Sequence, residues 1–301
     1  MNKEKSFTLI EILVAIVIIG ILSAFIIVGM DSIKENARIA KIRVFANSVR
    51  SLLLMNIVFE WKLNGNANDS WGLNHGTIGG SPTLITDCVE SSCYRFNGSS
   101  DYVYINDNDA VFNPQTEMTA FLWMRGSVQQ DSRGLFTQFN YGVGIDERTW
   151  AIRPCGVTNS KVEVRIDHLE GESTLRKNYK SFTPILDNRW HYVGFTWNNG
   201  TLKLYVDGLE EKDIVYDDSF TTIDNSNAPI SVGSFHASGT PAGFFNGDID
   251  YPILFNKAIS SAQIQEKYYS GLNKMFKNNT IVLEEYIKRT GELRNSLANN
   301  D

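Results

Sequence analysis

The sequence predicts a mainly β protein, in which a long N-terminal α-helix is followed by an antiparallel β-sandwich and a short C-terminal helical tail. An apolar stretch from Phe7 to about Met30 predicts the helix. From about Ile57 the residues alternate between apolar and polar, with many turns and no long helical stretch before Ser260, and this pattern predicts the sandwich. A polar segment rich in Lys and Glu follows Gly271 and predicts the tail.

The apolar stretch is long enough to cross a bilayer core of ~30 Å at ~1.5 Å per residue. Its single ionisable group is Glu11. A carboxylate inside a membrane costs a few kcal/mol unless it finds a partner, so Glu11 is predicted to be functional. A secretory signal peptide has a shorter apolar region that ends in small residues, whereas here charged residues such as Asp31 and Lys34 follow. A plain membrane anchor has no need of Glu11.

The helical period continues beyond the apolar stretch, now mixed with charged residues. Ile42, Phe45, Val49 and Leu52 recur at three- and four-residue steps, with Lys and Arg between them. This amphipathic pattern predicts a helix over residues 7–55 whose second half lies against a globular head. A separate juxtamembrane helix is the alternative, and in both cases residues 7–55 are largely helical.

The segment over residues 5–20, Lys-Ser-Phe-Thr-Leu-Ile-Glu-Ile-Leu-Val-Ala-Ile-Val-Ile-Ile-Gly, resembles the N-terminus of type IV pilins and of the pseudopilins of type II secretion. The resemblance implies that a prepilin peptidase removes residues 1–6 by cutting between Ser6 and Phe7, and that the new Phe7 amine is methylated. It also implies that Glu11 pairs with the Phe7 amine of a neighbouring subunit, which joins two charges that are each costly in lipid. Ser6 stands where most members have Gly.

The same resemblance implies a location and partners. Before assembly the chain is expected in the bacterial inner membrane as a single-pass protein with its head outside the cytoplasm. It is then expected in a cell-surface or periplasmic filament, in contact with other pilin or pseudopilin subunits.

Nine segments are predicted as strands of the sandwich. Asn198-Asn199-Gly200 is predicted as a tight hairpin turn, because Asn and Gly accept a positive φ at little cost. Many strands at this spacing are typical of an antiparallel sandwich or jelly roll. The predicted strands are Val58–Leu63, Tyr102–Ile105, Thr119–Arg125, Leu135–Tyr141, Lys161–Asp167, His191–Trp197, Leu202–Val206, Ile230–Gly233 and Gly247–Phe255.

Four stretches, taken in order, resemble the LamG-like, concanavalin A-type jelly roll. One of them reads Phe-Asn-Gly-Ser-Ser-Asp-Tyr-Val at residues 96–103. The resemblance implies a LamG-like jelly roll over residues 57–270 and a separate helical tail over 271–301. The four stretches are residues 59–63 with 68–70 and 74–77, residues 94–103, residues 190–193 through 204–208, and residues 245–250 through 255–260.

Members of this family often bind one Ca²⁺ through the opening loop and an acid on the last strand. The matching positions here are Asp69 and Asp250, with Asn74 as a further ligand. Calcium takes six to eight oxygen ligands, which a loop and a strand acid can supply. Tyr251 stands where members commonly have a second acid. The alternative is that Asp69 caps a turn and Asp250 faces solvent.

A glycan or another cell-surface molecule is the ligand that fold analogy suggests for such a head. Trp71 and Trp150 are predicted to be the better surface candidates, whereas Trp190 and Trp197 are predicted to be buried. A net charge of −6 argues against a general nucleic-acid binder.

Catalysis is not expected. Glycoside hydrolases of this fold carry Glu-x-Asp-x-x-Glu, and the nearest segment here, Asp248-Ile249-Asp250-Tyr251, lacks both Glu residues. The four histidines are scattered without zinc-site spacing, and Gly-x-Ser-x-Gly is absent from the sequence.

The cysteines add one constraint. Cys88 and Cys93 lie in a short loop before a strand, and in an exported domain a disulfide between them is expected. A metal-binding pair is the alternative. Cys155 is left over and is expected to be a buried thiol.

The leading functional hypothesis is a structural subunit of a type IV pilus or a type II secretion-type filament that displays the LamG-like head. The alternative is a lectin-like adhesin that is anchored in the membrane and not assembled. A pseudopilin that drives secretion is the third hypothesis, and it differs from the first mainly in genetic neighbourhood.

Overall fold

The computed structural model describes residues 56–106, 112, 115–128, 133–142, 145–155, 160–170 and 173–298, together with positions 9, 10, 13, 14, 16 and 18. The chain divides into two compact units, Met1–Met55 and Asn56–Asp301. In the first unit the six described positions are helical. Ser6, Phe7, Glu11 and the remainder of the predicted helix lie outside the described residues. Within the described part of the chain, no helix is both long and apolar enough to span a membrane.

The second unit is a sandwich of two sheets. The eight-stranded sheet contains β1 (Ile57–Glu60), β3 (Thr83–Ile85), β4 (Cys93–Asn97), β6 (Glu117–Gly126), β11 (His191–Asn198), β12 (Thr201–Val206), β13 (Leu209–Glu211) and β18 (Asn246–Phe255). The ten-stranded sheet contains β2 (Thr77–Gly79), β5 (Tyr102–Ile105), β7 (Phe136–Gly142), β8 (Ile145–Cys155), β9 (Lys161–Glu170), β10 (Ser173–Lys180), β14 (Asp213–Asp217), β15 (Ile230–Val232), β16 (Phe235–Ala237) and β17 (Thr240–Ala242).

The strand order is that of a jelly roll with long-range crossovers. The first sheet runs β13-β12-β11-β6-β18-β4-β3, and β1 also pairs with β18. The second sheet runs β14-β10-β9-β8-β7-β15-β5-β2, and β16 joins it beside β7 and β17. The described pairs are antiparallel except for β16 with β7. The predicted antiparallel sandwich is therefore confirmed.

Alternation of residue type places one face of each sheet in the core. In β9, Val162, Val164 and Ile166 are buried in the core, whereas Arg165 between them is half-buried. Side chains alternate between the two faces of a strand, so this pattern separates a core face from an outer face. The predicted hairpin turn joins β11 to β12, with Asn199 at φ 45° and Gly200 at φ 91°.

Aromatic rings fill the space between the two sheets. Phe59 stacks on Trp61 with ring centroids 4.3 Å apart, and Phe136 meets Trp150 edge-on at 5.1 Å. Trp150 also lies 5.8 Å from Phe195 of the opposite sheet. Burial of such rings supplies much of the hydrophobic stabilisation of the fold.

Two helices follow the last strand, α1 (Ser261–Lys277) and α2 (Leu283–Ala298). Ser260 caps α1, because its hydroxyl accepts from the N–H of Gln263 while the Gln263 side chain accepts from the N–H of Ser260. The predicted boundary between the jelly roll and the tail, at residues 270 and 271, falls inside α1. Within this helix, Gly271 packs directly on Trp123 of β6.

The α2 helix is tied to the first sheet by Arg289. Its guanidinium donates to the Trp190 backbone carbonyl at 2.6 Å, to the Tyr268 hydroxyl at 3.0 Å and to Asp207 at 3.2 Å. The tail therefore packs beside the head.

Candidate functional site

Asp69, an expected calcium ligand, organises the loop after β1. Its Oδ1 accepts from the N–H groups of Glu60 at 3.1 Å and Trp71 at 3.0 Å, and its Oδ2 accepts from the N–H of Asn74 at 3.2 Å. The Asn74 side-chain amide donates to the Val58 carbonyl at 2.7 Å. Asp69 and Asn74 are thus brought together, but by hydrogen bonds that shape the loop.

Asp250 does not face solvent. It is fully buried in β18, where its Oδ2 accepts from the N–H of Val89 at 3.0 Å and of Glu90 at 3.4 Å. Its Oδ1 is buried and has no hydrogen-bond partner among the residues that the structure describes. Burial raises the pKa of the Asp250 carboxyl to about 7, although the two N–H donors act in the opposite direction. Next to it Tyr251 has φ 56°, where the register between β18 and β6 shifts.

The oxygens of Asp69 and Asp250 are largely engaged in hydrogen bonds within the protein. The Asp69 oxygens already accept three N–H groups, and Asp250 is bound to the Val89–Glu90 segment. Among the described residues, no group of three or more His, Cys, Asp or Glu side chains has the arrangement of a metal site. The set fits a hydrogen-bonded loop better than a cage of six to eight oxygens. Calcium binding therefore stays a prediction.

The loop that contacts Asp250 is closed by a disulfide. Cys88 and Cys93 are joined, with Cα atoms 5.8 Å apart, as the sequence suggested. The Cys88 carbonyl also accepts from the Asn278 amide at 3.1 Å and from the Thr280 hydroxyl at 2.8 Å. Cys155 is half-buried rather than buried, because it lies at the end of β8.

The tryptophans are placed partly as expected. Trp190 and Trp197 are buried, as predicted, and Trp71 is 46% exposed with its indole N–H donating to Glu60. The prediction for Trp150 is wrong. It lies on the core face of β8, is 1% exposed and donates to the Gln138 side chain at 3.1 Å.

The ten-stranded sheet carries a cleft that the sequence analysis did not find. Phe136, Trp150 and Ile166 point into the core, so Thr137, Ala151 and Arg165 lie on the outer face of β7, β8 and β9. These last three residues are also opposite one another in the strand register. The cleft has a volume of about 200 Å³, and its lining includes Arg133, Arg148, Arg153, Arg165, Phe139, Tyr141 and Phe235. We call it the arginine cleft.

Charged pairs on the same face hold two of these arginines in place. Arg165 Nε and Arg176 Nε each lie 2.9 Å from Asp167 Oδ1. Arg153 Nε donates to Glu163 Oε1 at 2.8 Å, and Lys180 lies 3.7 Å from Oε2 of the same Glu163. Each of these two carboxylates is therefore shared by two cationic side chains. Among the described residues that line the arginine cleft, four are arginines and none is acidic.

Aromatic rings form one wall of the arginine cleft. The Arg165 guanidinium lies over the Phe139 ring, 5.3 Å from its centroid. Phe235 meets Phe139 edge-on at 6.1 Å and lies 5.8 Å from Tyr141. Tyr141 is 47% exposed, so part of this wall faces solvent.

A second cleft is lined by residues of β4, β6 and β18 in the eight-stranded sheet and has a volume of about 380 Å³. Two arginines and two aspartates line it, and they pair with each other. Asp248 accepts from Arg95 Nε at 2.7 Å and from Arg125 Nε at 2.8 Å, and Arg125 also donates to Asp87 at 2.6 Å. Its charges are balanced within the lining, in contrast to those of the arginine cleft.

Both predicted resemblances are confirmed by comparison with known families. Residues 97–265 match the laminin G type of the concanavalin A-like lectin/glucanases superfamily. Residues 1–27 match the prokaryotic N-terminal methylation motif, which is the type IV pilin signal. No curated protein matches the chain by sequence.

Solved structures with a similar fold are binding domains. The binding domain of Paraclostridial Mosquitocidal Protein 1 has a TM-score of 0.55 and 18% identity, covering 73% of this chain and 53% of that one. A second structure is of botulinum neurotoxin type C, a toxin whose cell entry depends on interaction with two ganglioside molecules. It has a TM-score of 0.55 and 15% identity, covering 74% of this chain and 53% of that one. The botulinum neurotoxin DC binding domain in complex with SialylT has a TM-score of 0.51 and 15% identity over 73% and 52%.

The chain spans about half of the length of these structures. Because the sequence identities are low, these likenesses show the fold alone.

Proposed function

Because the chain belongs to the concanavalin A-like lectin/glucanases superfamily and carries a prokaryotic N-terminal methylation motif, we propose that it is a pilin-like or pseudopilin-like subunit that displays a glycan-binding head. The observation that carries the proposal is the presence of both features on one chain. The motif supports peptidase processing and filament entry, and the superfamily of the sandwich includes lectins. In this proposal the chain builds a filament and binds a ligand, and it does not catalyse a reaction.

The N-terminal part of the proposal assigns three residues. The peptidase cuts between Ser6 and Phe7, the Phe7 amine is methylated, and Glu11 pairs with that amine in a neighbouring subunit. This pairing gives a membrane helix a reason to carry an acid four residues after the cut. The chain is then anchored in the inner membrane and exported with its head outside the cytoplasm.

The head part of the proposal is supported by the sandwich itself. The second unit has its own hydrophobic core, and two clefts with polar and charged linings open at its surface. Such clefts suit a ligand rich in hydroxyl groups.

Assembly is tested with Glu11→Ala in cells that carry a prepilin peptidase and a filament assembly system. The variant should be processed before Phe7 and should fold its head, but its amount in sheared filaments should fall because the partner charge is lost. Glu35→Ala, which removes an acid outside the apolar stretch, is the matched control. Incorporation of Glu11→Ala at the wild-type level would refute the pairing.

The second candidate function is a lectin-like adhesin that stays in the membrane. The similarity of the head to toxin binding domains favours it. Cell fractionation distinguishes the two: a subunit is found in filaments, whereas an adhesin is found only in the membrane fraction. A glycan array probed with the full chain in detergent tests recognition itself. Specific binding of a glycan would support a head that recognises glycans. If no glycan binds, only the structural role of the head remains.

A further inference from the structure

We propose that the arginine cleft binds the carboxylate of an acidic sugar unit, such as a uronic or sialic acid at the end of a glycan. The inference rests on the proposed function in taking the ligand to be a glycan, and it adds the class of glycan and the residues that select it. The chain as a whole is acidic, with a net charge of −6, whereas the described residues that line this cleft include four arginines and no acid.

The charged side chains around the arginine cleft favour an anionic ligand. Glu163 is shared by Arg153 and Lys180, and Asp167 is shared by Arg165 and Arg176. Four cationic side chains share two carboxylates, so the carboxylates neutralise only part of the positive charge of these side chains. Arg133 and Arg148 add further guanidinium groups to the cleft. Arg153 and Arg165 use Nε and Nη2 to bind Glu163 and Asp167, and their Nη1 groups are the charge-assisted donors that can bind a ligand carboxylate.

The Arg165 side chain is held in position before a ligand binds. Arg165 is fixed from two sides, since it lies over the Phe139 ring and donates to Asp167. Only 11% of its side chain is exposed. A guanidinium held in this way loses little conformational entropy when a ligand binds.

The shape of the arginine cleft limits the size of the ligand group that it can hold. Thr137 and Ala151 have short side chains and form the floor, which leaves the cleft open above the sheet. A volume of about 200 Å³ lies below the range of ~300–1,000 Å³ that is usual for small-molecule sites. The cleft therefore suits one terminal unit of a larger molecule. The exposed Tyr141 ring and Phe235 offer apolar surface to the C–H face of a pyranose ring.

Other anions fit less well. A free phosphate would leave the aromatic wall without a contact. A nucleic acid is normally held by a basic groove that follows its backbone over several nucleotides, whereas this basic site is one small cavity on an acidic chain. The second cleft balances its own charges and lacks such a preference for anions.

The test is titration calorimetry of the full chain in detergent with glucuronic acid, N-acetylneuraminic acid and the methyl ester of each. The esters keep the shape of the sugar and remove its charge. At least one acid should bind about tenfold more tightly than its ester. Equal binding of acid and ester, or equal binding of inorganic phosphate and the acid, would overturn the inference.

Variants locate the site. Arg165→Gln and Arg153→Gln should each weaken binding of the acid by about tenfold, since each removes one cationic hydrogen-bond donor. Asp167 and Glu163 keep Arg176 and Lys180 as partners in these variants. Ala151→Leu should weaken binding by filling the floor without a change of charge. Arg189→Gln is the matched control, because this exposed arginine lies outside the arginine cleft and also pairs with an aspartate.

The outcomes separate this inference from the proposed function. Thermal melting of each variant confirms that it is folded. If neutral glycans bind on the array and Arg165→Gln, Arg153→Gln and Ala151→Leu leave that binding unchanged, the head recognises glycans but the inference fails. If no glycan binds at all, the recognition role fails with it.

Discussion

The Nδ1 atom of His191 lies 2.8 Å from Oδ2 of Asp207, at the point where β11 and β12 meet the C-terminal helices. Its other ring nitrogen lies 3.1 Å from Oδ1 of Asp187. A neutral imidazole donates from one nitrogen only, so two carboxylate partners fit the imidazolium. Burial alone would lower the pKa of His191, but the charge of Asp207 and the hydrogen bond with Asp187 raise it to about 9.

This pKa predicts how stability depends on pH. Because the folded-state pKa lies above the ordinary value of 6.5, the stabilisation from His191 is complete below pH 6.5 and is lost as the pH rises through 9. The free energy of unfolding should fall by about 3 kcal/mol over this interval. Urea unfolding at a series of pH values measures it. His191→Gln should flatten the curve, whereas His75→Gln, at an exposed histidine, should not. A flat wild-type curve would contradict the assignment.

Arg289 is predicted to hold α2 on the sheet. Arg289→Met leaves the Trp190 carbonyl and the Tyr268 hydroxyl without their donor, so the free energy of unfolding should fall by roughly 2–4 kcal/mol. Hydrogen exchange of the α2 backbone should rise at the same time. Lys288→Met removes a neighbouring exposed charge and should change neither measurement. Unaltered exchange in Arg289→Met would show that α2 is held by other contacts.

Two helical glycines should respond in opposite directions to the same substitution. A Cβ added at Gly271 would lie 2.2 Å from Trp123, whereas a Cβ added at Gly291 meets nothing within 4 Å. Gly271→Ala should therefore destabilise the protein by ~1–3 kcal/mol through overpacking. Gly291→Ala should stabilise it by ~0.5–1 kcal/mol through helix propensity. Thermal melting compares them, and a stabilised Gly271→Ala variant would mean that α1 does not pack on Trp123 in this way.

Calcium binding at Asp69 and Asp250 is a further prediction, which comes from the resemblance to the LamG-like family. If the ion binds, millimolar Ca²⁺ should raise the melting temperature of the wild type, because a ligand that binds only the folded state stabilises it. Asp250→Asn should abolish the rise, and the exposed Asp213→Asn should keep it. Mg²⁺ at the same concentration controls for ionic strength. If Ca²⁺ leaves the melting temperature of the wild type unchanged, the prediction of a calcium site is wrong.

The sandwich could be predicted because its strands repeat a local pattern. Tyr102–Ile105 has the predicted bounds, and the other eight predicted strands differ from the observed ones by one to three residues at one or both ends. The polar β10 was missed, since its outer face is stabilised by partners on another strand, such as Asp167 for Arg176. That pairing exists only after folding.

The arginine cleft was missed for a related reason. Its arginines are spread over residues 133–165, and no short motif joins them. They come together through the register that sets Ala151 opposite Arg165 and Thr137 opposite Ala151. The burial of Trp150 was missed too, because a residue type alone does not say which face of a strand it occupies.

The antiparallel pairing of β1 with β18 has a mechanical consequence. Any pull on the chain ahead of Asn56 enters the sandwich along β1, whose residues Ile57 and Glu60 pair with Phe255 and Ile253. A tensile force along this strand loads its interstrand hydrogen bonds in shear, so they resist together rather than opening one after another. Since β18 also pairs with β4 and β6, the tension is passed into the middle of the sheet. A force that reaches the sandwich through β1 is therefore shared by several paired strands.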